Sequence, residues 1–313
     1  MRLSKPLLQL PIRFAAEKLA EEVRALPQSA WMPHPTGFAG NDAVPLISPG
    51  GALTDAFEGP MAPTEHLARC PTIMSLMAEL GCVWGRSRLM GLAAGAEVPK
   101  HIDVHYYWRT HVRIHVPVIT NPGVLFTCND ETVHMEGGEC WVFDSFALHN
   151  VRNNGTQRRV HLVLDTVGGG KLWDLVQAAT TGIQHQASLS VRPTSVANST
   201  PLVFELLNRP KIMSPWEVER HVNYIFDHAP ADARNGSIAR RLDHFISDWH
   251  AAWARFGTAD DGLETYLTLI DRMRGELQTS NATHIRLRNN QALDFVIDAL
   301  VLRNAVSPVP IPT

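Results

Sequence analysis

Residues 110–120, THVRIHVPVIT, set Val112, Ile114, Val116 and Val118 in strict alternation with Arg113, His115 and Pro117. A period of two places the valines and isoleucine on one face of an extended chain, with Arg113 and His115 together on the other. Working outward, SRLMGLAAG (87–95), GVLFTC (123–128), GECWVFDS (138–145) and RRVHLVLDTV (158–167) are likewise short and apolar or alternating. Turn residues separate them, notably Asn121-Pro122-Gly123 and Asn153-Asn154-Gly155. From about 85 to 167 the pattern is that of an all-β sandwich or barrel.

The flanks differ. Residues 13–26 carry Phe14, Leu19, Val23 and Leu26 near helical spacing, and residues 64–81 also read as helical. The forty residues between them are rich in Gly and Pro and read as loops with short strands. Gly168-Gly169-Gly170 reads as a flexible exit from the last strand; no GK[ST] follows, so it is not a phosphate loop. A polar, proline-interrupted run, RPTSVANSTP, occupies 192–201. Helical patterns then cover 215–228, 236–256, 262–277 and 289–304, with Ser214 as an N-cap, Glu217 three residues on and Pro215 in the first turn. Trp216, Trp249 and Trp253 read as the packing core of these helices, which also offer a surface for a homodimer. The chain is thus read as a β domain followed by a helical one.

Composition narrows the function. In 313 residues, 45% are apolar and 19% charged, which is ordinary for a globular protein. Lys and Arg total 28 against 31 Asp and Glu, a balance that argues against nucleic acid as the main partner. No stretch approaches the roughly 20 apolar residues that span a bilayer, and the first residues lack a signal-peptide core. The four cysteines, at 70, 82, 128 and 140, show no CxxC spacing and suit a reducing compartment, so a cytoplasmic location is expected.

Six of the 15 histidines fall between 101 and 149, and His101-Ile102-Asp103 stands at the head of the β region. In an extended chain His101 and Asp103 share a face and can converge on one ion. His149, in FDSFALHNV, is the natural third ligand from a returning strand. Two His and one carboxylate leave three open positions, as in non-haem Fe(II) oxygenases. Ten residues on, Arg159 sits in an apolar strand, where a buried guanidinium needs an anion; a dicarboxylate co-substrate supplies one. Arg158, next to it, points the other way, and His161 alternates with Arg159 as a core neighbour. His105, Trp108, Arg109 and Arg88 are candidate substrate contacts, whereas His111 and His134 are assigned no role.

Together, HID (101–103), RIHVPVIT (113–120), MEGGECWVFDSFALHNV (135–151) and RRVHLVLDT (158–166) resemble the aspartyl/asparaginyl β-hydroxylase-like 2-oxoglutarate dioxygenases, closest to the bacterial L-proline cis-4-hydroxylase type. The resemblance covers about residues 86–168. It implies a double-stranded β-helix (jelly-roll, cupin-like) domain with N-terminal helices over 1–175, and a helical C-terminal domain over 205–313. It implies His101, Asp103 and His149 as ligands of Fe(II), and Arg159 as the grip on the distal carboxylate of 2-oxoglutarate. His115 and Arg113 follow as further co-substrate or active-site contacts. With O2 as the other co-substrate, the implied reaction hydroxylates an amino-acid-like or peptide substrate and releases succinate and CO2. Desaturation, epoxidation or cyclisation at the same site, or a non-catalytic cupin-like binding protein, are the alternatives. Animal members lack the HxD carboxylate and related halogenases vacate it for chloride; this chain keeps Asp103, which favours hydroxylation.

Overall fold

A computed structural model describes residues 3–35, 37–181, 201–232 and 234–307. All of the polar run 192–201 except Pro201 lies outside them. The chain divides into two compact units: residues 1–103 with 110–208, and residues 104–109 with 209–313. Read from sequence, 104–109 stays with the β region; the fold assigns it to the helical unit.

The first unit opens with β1 (Leu7–Arg13), α1 (Ala16–Ala25), β2 (Met32–Pro33), β3 (Asn41–Pro49) and β4 (Met61–Pro63). It continues with α2 (Pro71–Leu80), β5 (Val83–Leu92) and β6 (Glu97–His101). After α3 (Tyr106–Thr110) come β7 (Val112–Ile119), β8 (Val124–Cys128), β9 (Glu131–Val133), β10 (Glu139–Phe143), β11 (His149–Asn153) and β12 (Arg159–Gly168). It closes with α4 (Gly170–Thr181) and β13 (Val203–Phe204).

Two sheets result. The larger runs β1-β10-β7-β12-β5-β3-β2, with β4 beside β3 and β13 beside β5; the smaller runs β6-β11-β8-β9. From β5 to β12 the chain passes back and forth between them, with β5, β7, β10 and β12 in the larger sheet and the rest in the smaller. This is the double-stranded β-helix. Leu7, Leu92, Trp141 and Phe143 of the larger sheet close on Val124, Phe126, Cys128 and Val151 of the smaller to form its core. The alternation in 112–118 is realised: Val112, Ile114, Val116 and Val118 are all buried.

The less regular strands have physical reasons. Pro11 is tolerated in β1 because β1 is an edge of the sheet, where an absent N–H goes unmissed. Pro45 sits in β3 at a register shift against β5, and the bulge absorbs the lost donor. Gly168-Gly169-Gly170 is a packed corner rather than a flexible exit. Gly168 has φ +111°, and a Cβ there would lie 2.5 Å from Trp173; one at Gly169 would lie 2.2 Å from the Gly81 carbonyl oxygen. Only glycine lets the end of β12 approach α4 and α2 so closely.

In the second unit, α3 accompanies α5 (Pro215–Asp227), α6 (Asn235–Phe256), α7 (Leu263–Thr279) and α8 (Leu293–Ile297). Ser214 caps α5 by accepting from the Glu217 N–H, and Pro215 occupies the first turn. The expected 289–304 helix is shorter: Asn290 is left-handed at φ +66°, and a π turn, Asp298–Leu302, follows α8. Trp249 is fully buried and donates its Nε1–H to the Met213 carbonyl at 2.8 Å. Trp216, expected in the core, is 64% exposed, because the buried stripe of α5 runs through Val218, His221, Val222 and Ile225 instead. Among the described residues, no helix is long and apolar enough to cross a membrane.

Candidate metal centre

His101 ends β6 and His149 begins β11, and the antiparallel register sets them opposite each other. Their rings lie 4.2 Å apart between centroids. Asp103 lies just past the strand, held by its backbone N–H donating to the Ser145 carbonyl at 2.9 Å. The three side chains each offer a ligand atom within 4.8 Å of the others, and they form the only such cluster of His, Cys, Asp and Glu among the described residues.

Local hydrogen bonds fix the imidazoles for ligation. His101 Nδ1 donates to the Pro99 carbonyl at 2.8 Å, and His149 Nδ1 donates to the Ala147 carbonyl at 2.9 Å. A carbonyl only accepts, so each Nδ1 carries the proton and each Nε2 keeps its lone pair for an ion. Burial pulls the His149 pKa down to about 4, so the ring is neutral at physiological pH. For Asp103, burial pushes upward, but the positive charge of Arg113 leads the opposing influences that hold the carboxyl below its ordinary value. Two imidazoles presenting Nε2 and one carboxylate fit a divalent transition ion with open positions.

Arg113 stands in the site, committed to two carboxylates. Its Nη1 donates to Asp103 Oδ2 at 2.7 Å and its Nε to Asp165 Oδ1 at 2.9 Å, so it braces the carboxylate from behind. Asp165 was legible in principle, since it continues the alternation Arg159, His161, Val163 along β12.

Arg159 opens β12 opposite Leu92 and is 3% exposed. Burial pulls its pKa to about 9. Its nearest acceptor is the Met90 carbonyl at 3.5 Å, its Nε–H has no partner, and no carboxylate pairs with it among the described residues. His115, on β7, faces Trp141 on one side and Val163 on the other. Its Nδ1 and both nitrogens of His161 are also buried without partners, and the two rings stand 5.8 Å apart. Burial, with Arg159 next, pushes both imidazoles well below their ordinary pKa. Buried donors without acceptors are costly, so this group fits an anion brought by a ligand.

The remaining candidates divide. Arg88, on β5 and 4% exposed, pairs with Asp55 and bonds His34 Nε2 at 3.4 Å. Arg86, two residues earlier on the same face, pairs with Asp55 at 3.2 Å and lies 3.9 Å from Asp165. His105, Trp108 and Arg109 belong to the helical unit. There His105 Nδ1 accepts from the Tyr107 N–H, Trp108 packs edge-on against Tyr107, and Arg109 lies 3.7 Å over the Tyr224 ring. Arg158 turns outward to Asp42 and the face of Trp31, while His111 meets Glu205 at 3.0 Å and His134 bonds the Val124 carbonyl. Arg86, Asp55 and His34 were not singled out in the sequence; Arg86 could have been, by its i,i+2 spacing to Arg88.

Residues 53–168 match the family model described as Aspartyl/Asparaginyl beta-hydroxylase. No curated protein matches the chain. Among solved structures, the chain is similar to a 2OG-Fe(II) oxygenase family oxidoreductase from Burkholderia pseudomallei, at 13% identity and a TM-score of 0.39, over 49% of this chain and 79% of that one. It is also similar to a prolyl-4-hydroxylase from Pseudomonas putida, at 14% identity and a TM-score of 0.36, over 53% of this chain and 95% of that one. A third is a Trichoplax adhaerens prolyl hydroxylase solved with a hypoxia inducible factor peptide, at 12% identity and a TM-score of 0.38, over 54% and 87%. The matched span, a little over a third of the chain, holds all four of His101, Asp103, His149 and Arg159.

Proposed function

We propose that the protein is an Fe(II)/2-oxoglutarate-dependent dioxygenase that hydroxylates an unactivated C–H bond of an amino acid or amino-acid-derived substrate, free or peptidyl. The observation that carries this reading is the pairing of a His-Asp-His cluster with a buried arginine that lacks a carboxylate. When bound, Fe(II) with 2-oxoglutarate and O2 supplies the oxidising chemistry and yields succinate and CO2.

The chain supplies position and electrostatics. His101 and His149 present bare Nε2 atoms because backbone carbonyls hold their Nδ1 protons. Arg113 keeps Asp103 ionised and oriented. The Arg159 guanidinium takes the far carboxylate of 2-oxoglutarate as a charge-assisted pair, and the neutral His115 and His161 offer hydrogen bonds beside it. Phe126 and Phe143, packed edge-on to the His115 ring, exclude water from this wall. Arg88 takes the substrate's polar end. The four cysteines are buried and free, and burial raises each thiol, Cys70, Cys82 and Cys128 to about 12, which fits a reducing, cytoplasmic compartment.

Succinate release, measured over a panel of amino acids and short peptides, tests the reading. Wild-type protein forms succinate in step with a product heavier by one oxygen; His101→Ala and Asp103→Ala abolish both. Variants as active as wild type would overturn it.

A further inference from the structure

Three arginines, Arg86, Arg88 and Arg113, line one interior face of β5 and β7, and their carboxylate partners are not equivalent. Arg113 is held by Asp165 and Asp103, both on or beside the strands that frame the metal centre. Arg86 and Arg88 both meet Asp55, which comes from outside the sheets, and Arg86 also lies 3.9 Å from Asp165. Both arginine side chains are nearly fully buried, at 4% and 5% exposure, whereas that of Asp55 is 30% exposed. The carboxylate therefore stands between buried guanidinium groups and water.

Asp55 sits in an irregular loop between β3 and β4 whose two ends are fastened and whose tip is not part of any strand. Gly50 N–H donates to the Pro60 carbonyl, and Gly59 N–H and the Phe57 carbonyl bond the Asn208 side chain. Between these anchors Ala52, Leu53 and Ala56 are exposed. The tip is tied to β5 through Arg86, which donates to the Asp55 backbone carbonyl at 2.7 Å and lies 5.1 Å over the Phe57 ring, so an outward swing exchanges these contacts together with the ion pair. Beneath it, two guanidinium groups on one face present a fork of donors suited to one carboxylate. His34 adds no charge: burial, with Arg88 next, pulls its pKa to about 4.

We propose that Asp55 is an internal stand-in for a substrate carboxylate: a substrate bearing a free carboxylate displaces it from Arg86 and Arg88, and the 50–60 loop swings outward to admit it. The exchange swaps one anion for another, so neither arginine is left buried without a counter-charge at any stage. The assignment of that carboxylate to the substrate rests on the function proposed above; the anion exchange itself does not. It selects free amino acids, or chain-terminal ones, over residues internal to a peptide.

The test uses propionate as the probe and propionamide as its uncharged control, in full-length protein carrying Arg159→Met so that the other buried guanidinium does not take the anion. Asp55→Asn, which removes the tethered competitor, tightens propionate binding by about fivefold or more, with no gain for propionamide. Equal propionate affinity with and without Asp55 overturns the proposal. Should Asp55→Asn not fold, Arg88→Met in the same background decides: propionate binding falls by about fivefold or more, and unchanged binding overturns the proposal. Neither iron nor 2-oxoglutarate enters these titrations, so they can succeed where the succinate assay fails, and the reverse. Among substrates that release succinate, replacing the free carboxylate by its amide lowers kcat/KM by about tenfold or more; amides turned over as well as acids would overturn it.

Discussion

Replacing Arg159 by methionine removes a charge that the fold buries without a carboxylate. Burial lowers the guanidinium pKa well below its ordinary value, to about 9. At about 1.36 kcal/mol per unit, the charged form is disfavoured by on the order of 5 kcal/mol, an upper bound because the effective interior dielectric is high. A base whose folded pKa is depressed destabilises the fold at every pH below about 9, and the penalty fades only as pH rises from there toward the ordinary guanidinium range. At pH 7 the penalty is thus fully present. Methionine fills much of the same space without it, so ligand-free Arg159→Met is more stable than wild type by about 1–3 kcal/mol. Loaded with Fe(II) under anaerobic conditions, wild type gains about 2.7 kcal/mol from 2-oxoglutarate at a hundred times its Kd, and the variant gains less than a third of that. Urea titrations of both proteins, with and without 2-oxoglutarate, measure the four stabilities. A ligand-free variant weaker than wild type, or an equal gain from 2-oxoglutarate, would refute the reasoning.

Other perturbations follow from single contacts. Arg113→Met removes the 2.7 Å brace on Asp103 and weakens divalent-metal affinity about 10- to 100-fold, read by competition with a chelating dye. Gly169→Ala drives a Cβ to 2.2 Å from the Gly81 carbonyl oxygen and destabilises the β unit by about 2 kcal/mol or more in a thermal melt. Trp249→Phe leaves the Met213 carbonyl without its buried donor and lowers the stability of the helical unit by about 1–3 kcal/mol, seen as reduced amide protection in α5 and α6. His34 has a folded pKa depressed to about 4, so between 6.5 and 4 the unfolded chain binds the extra proton and stability falls as pH drops; in His34→Gln, the urea midpoint declines less between pH 7 and pH 5.

What could be seen in the sequence was what strand periodicity exposes. The alternation through Val112–Val118 predicted a strand with Arg113 and His115 on its inner face, and the structure places both there. His101-Ile102-Asp103 predicted a shared face for two ligands; Asp103 reaches it from beyond the strand end, tied to Ser145 by a backbone bond that no spacing reveals. The side chain of Arg113 was visible but its commitment was not, because Asp165 and Asp103 meet it only after β7 and β12 pair. β3 was hidden by Pro45, which a bulge accommodates, and the packed glycine corner at 168–170 looked mobile because its close neighbours, Gly81 and Trp173, are tertiary or follow in the next helix. Trp216 misled for a simpler reason: a large apolar residue on a helix suggests a core, yet its angular position on α5 lies off the buried stripe.

Calorimetric titration of 2-oxoglutarate into oxygen-free protein probes the central claim at its source. With one equivalent of Fe(II) present, wild type binds one 2-oxoglutarate per chain; without the metal, or in His149→Ala, binding weakens by about tenfold or more. Binding of 2-oxoglutarate that is indifferent to metal and to His149 would contradict the assignment of His101, Asp103 and His149 as the centre that holds it.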